Sequence, residues 1–315
     1  MAEQQGRVQE LKKKYGAKAI DNAARLDSHG FPKLVEWRDE MDPHYTKLWL
    51  DFTHGGLYTR GILDERTRLL VSIAQFVAQD ETEMLESHMR SALENGVAPR
   101  EILEVTFQTT VYVGYPKGAR AARILRDILM ELGRMDEITK TQLPLDGRSA
   151  ERSLESERGT WRVPDAQFPR REELMQKYGW QGISAGLRLQ PTHHAQTVQR
   201  LDRIDPHFLK LWLDFIYAGL YTRGVLDDKT RLLCMVGICT VLDETVQNEN
   251  HIRAALILGA TPREVLEVTL QSTVYTGMPR SLRAAAILER VLEEHGRIGE
   301  LTETRLPLPA AERAA

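Results

Sequence analysis

YTKLWLDFTHGGLYTRGILDERTRLL, from Tyr45 to Leu70, occurs again as FLKLWLDFIYAGLYTRGVLDDKTRLL, from Phe208 to Leu233. The match continues as APREILEVTFQTTVYVGYP (Ala98–Pro116) against TPREVLEVTLQSTVYTGMP (Thr261–Pro279). It runs without a gap from Lys14/Lys177 to Leu145/Leu308, and about half of the central positions are identical. Solenoid repeats are shorter, roughly 20–50 residues. This period is domain-sized, so the chain reads as a tandem duplication by gene fusion. Repeat 1 is placed at 1–145 and repeat 2 at 171–315. Between them, 146–170 is polar and poorly patterned, and reads as a linker.

Local signals point to helices and the fold class to all-α. Asp64 and Asp227 are placed to cap a helix carrying Leu69, Leu70, Ile73 and Val77 in repeat 1. Gly96 and Gly259 fit a helix C-terminus. Thr261, Pro262 and Glu264 form an N-cap, first-turn proline and capping box. Repeat 1 has Ala98 in place of the threonine, which weakens that start by about 1 kcal/mol. Gly114-x-Pro116 and Gly277-x-Pro279 break the chain before a last long helix. No convincing run of alternating strands occurs.

Composition narrows the function classes. The chain of 315 residues is 42% hydrophobic and 28% charged, with a net charge of −3. Neither that charge nor any basic stripe points to nucleic acid. No apolar run approaches the ~18 residues of a membrane span, and MAEQQGRVQELKKKYG lacks the apolar centre of a signal peptide. Cys234 and Cys239 are the two cysteines, read as buried free thiols, and the expected compartment is the cytoplasm. His193-His194 is not completed to a metal site by spaced carboxylates or cysteines.

The segment that can carry chemistry is DETEMLESHMRSAL in repeat 1 and DETVQNENHIRAAL in repeat 2. It shares Asp80/Asp243, Glu81/Glu244, Glu86/Glu249, His88/His251 and Arg90/Arg253. On one helix Glu81 and His88 share a face, as do Glu244 and His251, whereas Glu86 points nearly the other way. A histidine beside an acid suits proton transfer near neutral pH. A structural histidine on a helix face is the competing reading. The pair survives where its surroundings have drifted, VSIAQFVAQ facing CMVGICTVL. Arg60/Arg223 suit a bidentate clamp on a substrate carboxylate or an ion pair with nearby aspartates. Arg68/Arg231 suit a structural ion pair or the same clamp. Tyr112/Tyr275 suit a cavity wall or the core, and Tyr58/Tyr221 the core or an interface.

Taken in order, RGxLDxxTRxLL, E-x6-H-x-R-x-A-L, GxxPREx-L-E-V and Q-x-TVYxGxP resemble the carboxymuconolactone decarboxylase family, over about two-thirds of the chain. The resemblance implies an alkylhydroperoxidase D-like, all-helical domain in two fused copies. It also implies assembly into rings, here a homotrimer of fused pairs or, failing that, a dimer. The family's redox branch uses Cys-x-x-Cys ahead of the equivalent histidine. Those positions are Glu81 and Met84, and Glu244 and Gln247, so thiol peroxidase activity is not expected.

The resemblance implies instead a cofactor-independent carboxy-lyase acting on a small carboxylated lactone or related acid. The expected roles are His88 and His251 as proton or oxyanion donors, Glu81 and Glu244 orienting them, and Arg60, Arg223, Arg68 and Arg231 holding carboxylates. The alternatives are an isomerase or cyclase in a catabolic or natural-product pathway, and a non-catalytic binding or scaffold protein. The diverged pocket walls suggest two unequal sites.

Overall fold

A computed structural model describes residues 2–26, 30–145 and 167–307. Most of the expected linker therefore lies outside the described residues. Repeat 1 comprises α1 (Ala2–Tyr15), α2 (Ala17–Leu26), α3 (Phe31–Met41), α4 (Pro43–Leu50), α5 (Glu65–Gln79), α6 (Thr82–Glu94), α7 (Pro99–Val113), α8 (Tyr115–Glu131) and α9 (Asp136–Thr139). Repeat 2 answers with α10 (Arg171–Tyr178), α11 (Trp180–Leu189), α12 (His194–Ile204), α13 (Pro206–Trp212), α14 (Asp228–Leu242), α15 (Thr245–Ile257), α16 (Pro262–Gln271), α17 (Thr273–Thr276), α18 (Met278–Glu294) and α19 (Ile298–Thr302). The described residues contain no strand.

The capping chemistry is as the sequence implies. Asp64 and Asp227 each accept from the backbone N–H three residues on, at 2.8 Å, and so start α5 and α14. Thr261 and Glu264 close a full capping box on α16. Ala98 has no side-chain oxygen, so only the Glu101 half of the box forms on α7. Asp80 and Asp243 end α5 and α14 in the left-handed region, at φ 62° and 60°. Aspartate tolerates that conformation better than most residues. Each is also tied to an arginine of the last long helix, Arg120 or Arg283.

Between α4 and α5 the chain widens into a π-helical turn (Asp51–Gly56) and then a 3-10 turn (Leu57–Thr59). Leu213–Gly219 and Leu220–Thr222 do the same in repeat 2. Glycine is required there: a Cβ on Gly219 would lie 2.6 Å from the Asp214 carbonyl oxygen. These turns carry Tyr58 and Arg60, and Tyr221 and Arg223, to the boundary between repeats.

α5 and α14 are almost wholly buried and pack on each other, with Gly237 of α14 against Val71 and Gln75 of α5. One apolar core runs through both repeats, joining Leu69–Ala78 to Leu232–Val241. A smaller cluster, with Ile20, Phe31, Val35 and Leu50, sits under the N-terminal helices.

Two buried carboxyl groups lock this seam. Glu267 of repeat 2, fully buried, takes Arg60 Nε at 2.8 Å and Arg68 at 3.4 Å, both from repeat 1. Glu104 of repeat 1, also fully buried, takes Arg223 Nε at 2.8 Å and Arg231 at 3.3 Å from repeat 2. Gln271 and Gln108 extend each cluster, accepting from Arg68 and Arg231 at 3.0 Å. Removing one member of a buried pair strands its partner's charge, at about 3–5 kcal/mol. Glu267→Ala should therefore lower urea-unfolding stability by about that much, and adding Arg68→Met should return part of it. A Glu267→Ala chain as stable as the parent would show that the clamp does not hold the repeats.

Candidate active site

Each seam cluster sits beside a histidine. His88, on α6, is buried, and its Nδ1 lies 2.9 Å from the Met84 carbonyl oxygen, to which it donates as the Nδ1–H tautomer. Its ring meets Phe76 edge-on at 4.7 Å, and Phe76 in turn meets Tyr275 of the other repeat at 4.6 Å. Phe76 thus stands between His88 and Tyr275, whose rings are 6.3 Å apart. The Tyr275 hydroxyl goes elsewhere, to Tyr58 at 2.5 Å and Ser72 at 3.0 Å.

Repeat 2 builds the same parts with a different outcome. His251, on α15, is fully buried, and its Nε2 is 2.9 Å from the hydroxyl of Tyr112 in repeat 1. Tyr112 also hydrogen-bonds Tyr221, as Tyr275 does Tyr58. Two substitutions account for the difference. Cys239 stands where repeat 1 has Phe76, so no ring separates the tyrosine from the histidine. Met235 stands where repeat 1 has Ser72, so no hydroxyl draws the tyrosine away. Both sites therefore pair a histidine of one repeat with a tyrosine of the other, and only the His251 site brings the two into hydrogen-bonding contact.

Burial makes these groups neutral at pH 7. It lowers His251 from the ordinary imidazole value to about 3 and holds the Tyr112 hydroxyl well above its usual range, with Tyr221 and Cys239 adding to the latter. His54, beside Tyr58, is likewise lowered to about 3 by burial and by the nearby His88 and Arg38. Its counterpart is Tyr217, which packs on His194 at 4.5 Å. His194 is fully buried and also lowered to about 3 by burial.

The structure corrects some expectations about single residues and bears out others. α6 begins only at Thr82, with Glu81 extended at φ −88° and ψ 92°, so one helix does not span Glu81 and His88. Glu244 precedes α15 in the same way. Both glutamates are exposed while the histidines are buried. Glu244 lies instead near Cys239, whose thiol is pushed up first by burial and then by that charge. The α5 and α14 endings explain this, because left-handed Asp80 and Asp243 turn the chain immediately before each glutamate. Arg60, Arg68, Arg223 and Arg231 make structural ion pairs, the alternative to a substrate clamp, but with Glu267 and Glu104 of the opposite repeat rather than with nearby aspartates. Glu86 and Glu249 pair with Arg90 and Arg253 on the surface. Tyr112 and Tyr275 are brought to the histidines. Cys234 and Cys239 are buried and unlinked. Among the described residues no helix is long and apolar enough to cross a membrane.

Sequence reasoning missed Glu104/Glu267 and Gln108/Gln271. Their signal was an acid and an amide one helical turn apart inside an otherwise apolar run, in both copies. It also missed Ser72/Met235 and Phe76/Cys239, which look like ordinary core drift.

A large groove also crosses the seam, about 1230 Å³ in volume. Phe107, Tyr115 and Arg123 of repeat 1 face Phe215, Leu220 and Arg223 of repeat 2 across it, and neither His88 nor His251 lines it.

Set beside known proteins, the chain matches the family model described as "Carboxymuconolactone decarboxylase family" twice, at residues 43–127 and 206–290, which is more than half of its length. It belongs to that family. It is similar to the 4-carboxymuconolactone decarboxylase of Acinetobacter baylyi, 30% identical over 101 residues, covering 32% of this chain and 75% of that protein. It is also similar to an uncharacterized 15.0 kDa protein in the nqo9-nqo10 intergenic region of Paracoccus denitrificans, 26% identical over 125 residues, covering 39% of this chain and 93% of that protein. Each alignment thus has about the extent of a single repeat.

The buried histidines also set a pH dependence. Their folded pKa values, about 3 for His54, His194 and His251, lie below the ordinary 6.5, so between those limits the unfolded chain binds more protons. Their contribution to stability is complete above pH 6.5 and is lost as pH falls through that window. Each contributes a slope of up to about 1.4 kcal/mol per pH unit. His194→Phe, which installs the residue repeat 1 has at Phe31, should reduce the acid slope by one histidine's share in urea unfolding across pH 4–7. An unchanged slope would mean that His194 is protonated in the fold.

Proposed function

We propose that the chain is a cofactor-independent carboxy-lyase acting on a small carboxylated lactone or related acid, with His251 and Tyr112 as its working pair. The observation that carries this reading is the 2.9 Å contact between His251 Nε2 and the Tyr112 hydroxyl across the repeat seam. Family membership and the likeness to a named decarboxylase support it.

In such a decarboxylation the C–C bond to the carboxylate breaks and carbon dioxide leaves. The bonding electrons pass through the ring double bond to the lactone carbonyl, giving an enolate. Tyr112, neutral at pH 7, donates a hydrogen bond to that oxyanion and then delivers its proton to carbon. His251 Nε2–H donates a hydrogen bond that stabilises the tyrosinate, and one solvent proton restores the phenol in each turnover. A neutral imidazole suits this hydrogen-bond donor role better than the histidine–glutamate pair expected from sequence. It adds no fixed charge to the buried seam. In the other site Tyr275 is held by Tyr58 and Ser72, so His88 supports binding or packing there.

One observation favours a second reading. The large groove lies away from both histidines, which suits a protein that binds a small acid without transforming it. Under either reading we place the chain in the cytoplasm, where its two free thiols stay reduced.

We also propose that the chain self-associates. Tyr45 and Leu48 on α4 are an exposed apolar pair at helical spacing, and Phe208 and Leu211 on α13 repeat it. A trimer of fused pairs uses both faces.

Carbon dioxide release from a panel of lactone acids tests the assignment. Tyr112→Phe and His251→Ala should each lower kcat by roughly 10²–10³, the range of a lost general acid, and His88→Ala by much less. Full activity in the His88→Ala/His251→Ala double variant would rule the site out.

A further inference from the structure

The groove across the seam, about 1230 Å³, lies away from both His/Tyr pairs. Its wall is largely apolar, from Phe107, Tyr115, Leu143, Phe215 and Leu220. Four charged side chains line it, and three have partners. Arg120 is paired with Asp80, Arg223 with Glu104, and Asp214 with Lys210. Arg123 is the exception. It is exposed and makes no ion pair among the described residues. An unpaired guanidinium beside an apolar wall complements a carboxylate on an aromatic or aliphatic body.

The duplication supplies an internal comparison. At the positions related by the repeat, Ala286 stands in place of Arg123 and Leu282 in place of Ala119. Leu282 is more than half exposed, so its bulk occupies space that Ala119 leaves open. The cation and the small residue one turn before it therefore occur together in repeat 1 and are both missing from repeat 2. We infer that the Arg123 groove is a binding site for one apolar monocarboxylate per chain, separate from the His/Tyr pairs. The carboxylate is held by Arg123, and the body lies between Phe107 and Phe215.

Titration of the full chain with 2-naphthoate tests this, by calorimetry and by the probe's own fluorescence. One equivalent should bind per chain. Binding should weaken about tenfold or more in Arg123→Ala, the loss expected for a charge-assisted contact. It should weaken similarly when uncharged 2-naphthamide replaces the probe. Ala119→Leu should block the site. Arg123 is exposed, so its variant is expected to fold, and a cooperative melt at the parent temperature confirms that it has. Equal binding by Arg123→Ala and the parent would overturn the proposal. So would two equivalents in the parent, or no binding because a second copy covers the groove.

Discussion

Glu104 and Glu267 bring carboxyl groups into the fully buried centre of the molecule, and the arginines that answer them come from the other repeat. A docking of the repeats that parted these charges would leave a buried acid without its cation. That cost is several kcal/mol per ion in a real protein. The clamp is therefore less a source of net stability than a rule about pairing. It accepts one docking of the repeats, with α5 against α14, and penalises alternatives that part the charges. Fusing the copies in one chain keeps the partner at hand.

Once that docking is fixed, the candidate sites are set as well. The wide turns that present Arg60 and Arg223 also present Tyr58 and Tyr221. The helices that present Glu104 and Gln108 continue to Tyr112, and the repeat 2 counterparts lead to Tyr275. Each tyrosine then faces a histidine of the opposite repeat. The frame is nearly symmetric, and two side-chain changes make its chemistry unequal. A ring at Phe76 and a hydroxyl at Ser72 hold Tyr275 away from His88. A small thiol at Cys239 and a thioether at Met235 leave Tyr112 free to reach His251.

The duplication, the helices and their caps were legible because they depend on neighbours within one turn. Asp64, Asp227 and Thr261 each cap the helix that begins at the next residue, and the glycines end the helices before them. The arginines were not legible as clamp residues because their partners lie in the other copy, brought close only by docking. Glu81 was misplaced by one backbone conformation. Left-handed Asp80 ends α5, and Glu81 itself is the extended residue that opens α6, so its side chain does not follow the helical spacing that leads to His88. The histidines stand out in the sequence as a feature shared by both copies. Their tyrosine partners were visible only as members of the Q-x-TVY motif, with nothing in the sequence to say which repeat they would serve.

The central claim is that each histidine is served by the opposite repeat, and that only His251 is in contact with its tyrosine. Nitrogen-15 NMR of the imidazole rings in the full chain reads this directly. Tyr112→Phe, a change in repeat 1, should shift the Nε2 resonance of His251 in repeat 2 and leave His88 unmoved, while Tyr275→Phe should leave the Nε2 of His88 nearly unchanged. An unmoved His251 signal in Tyr112→Phe, or equal shifts at both histidines in their respective variants, would contradict it.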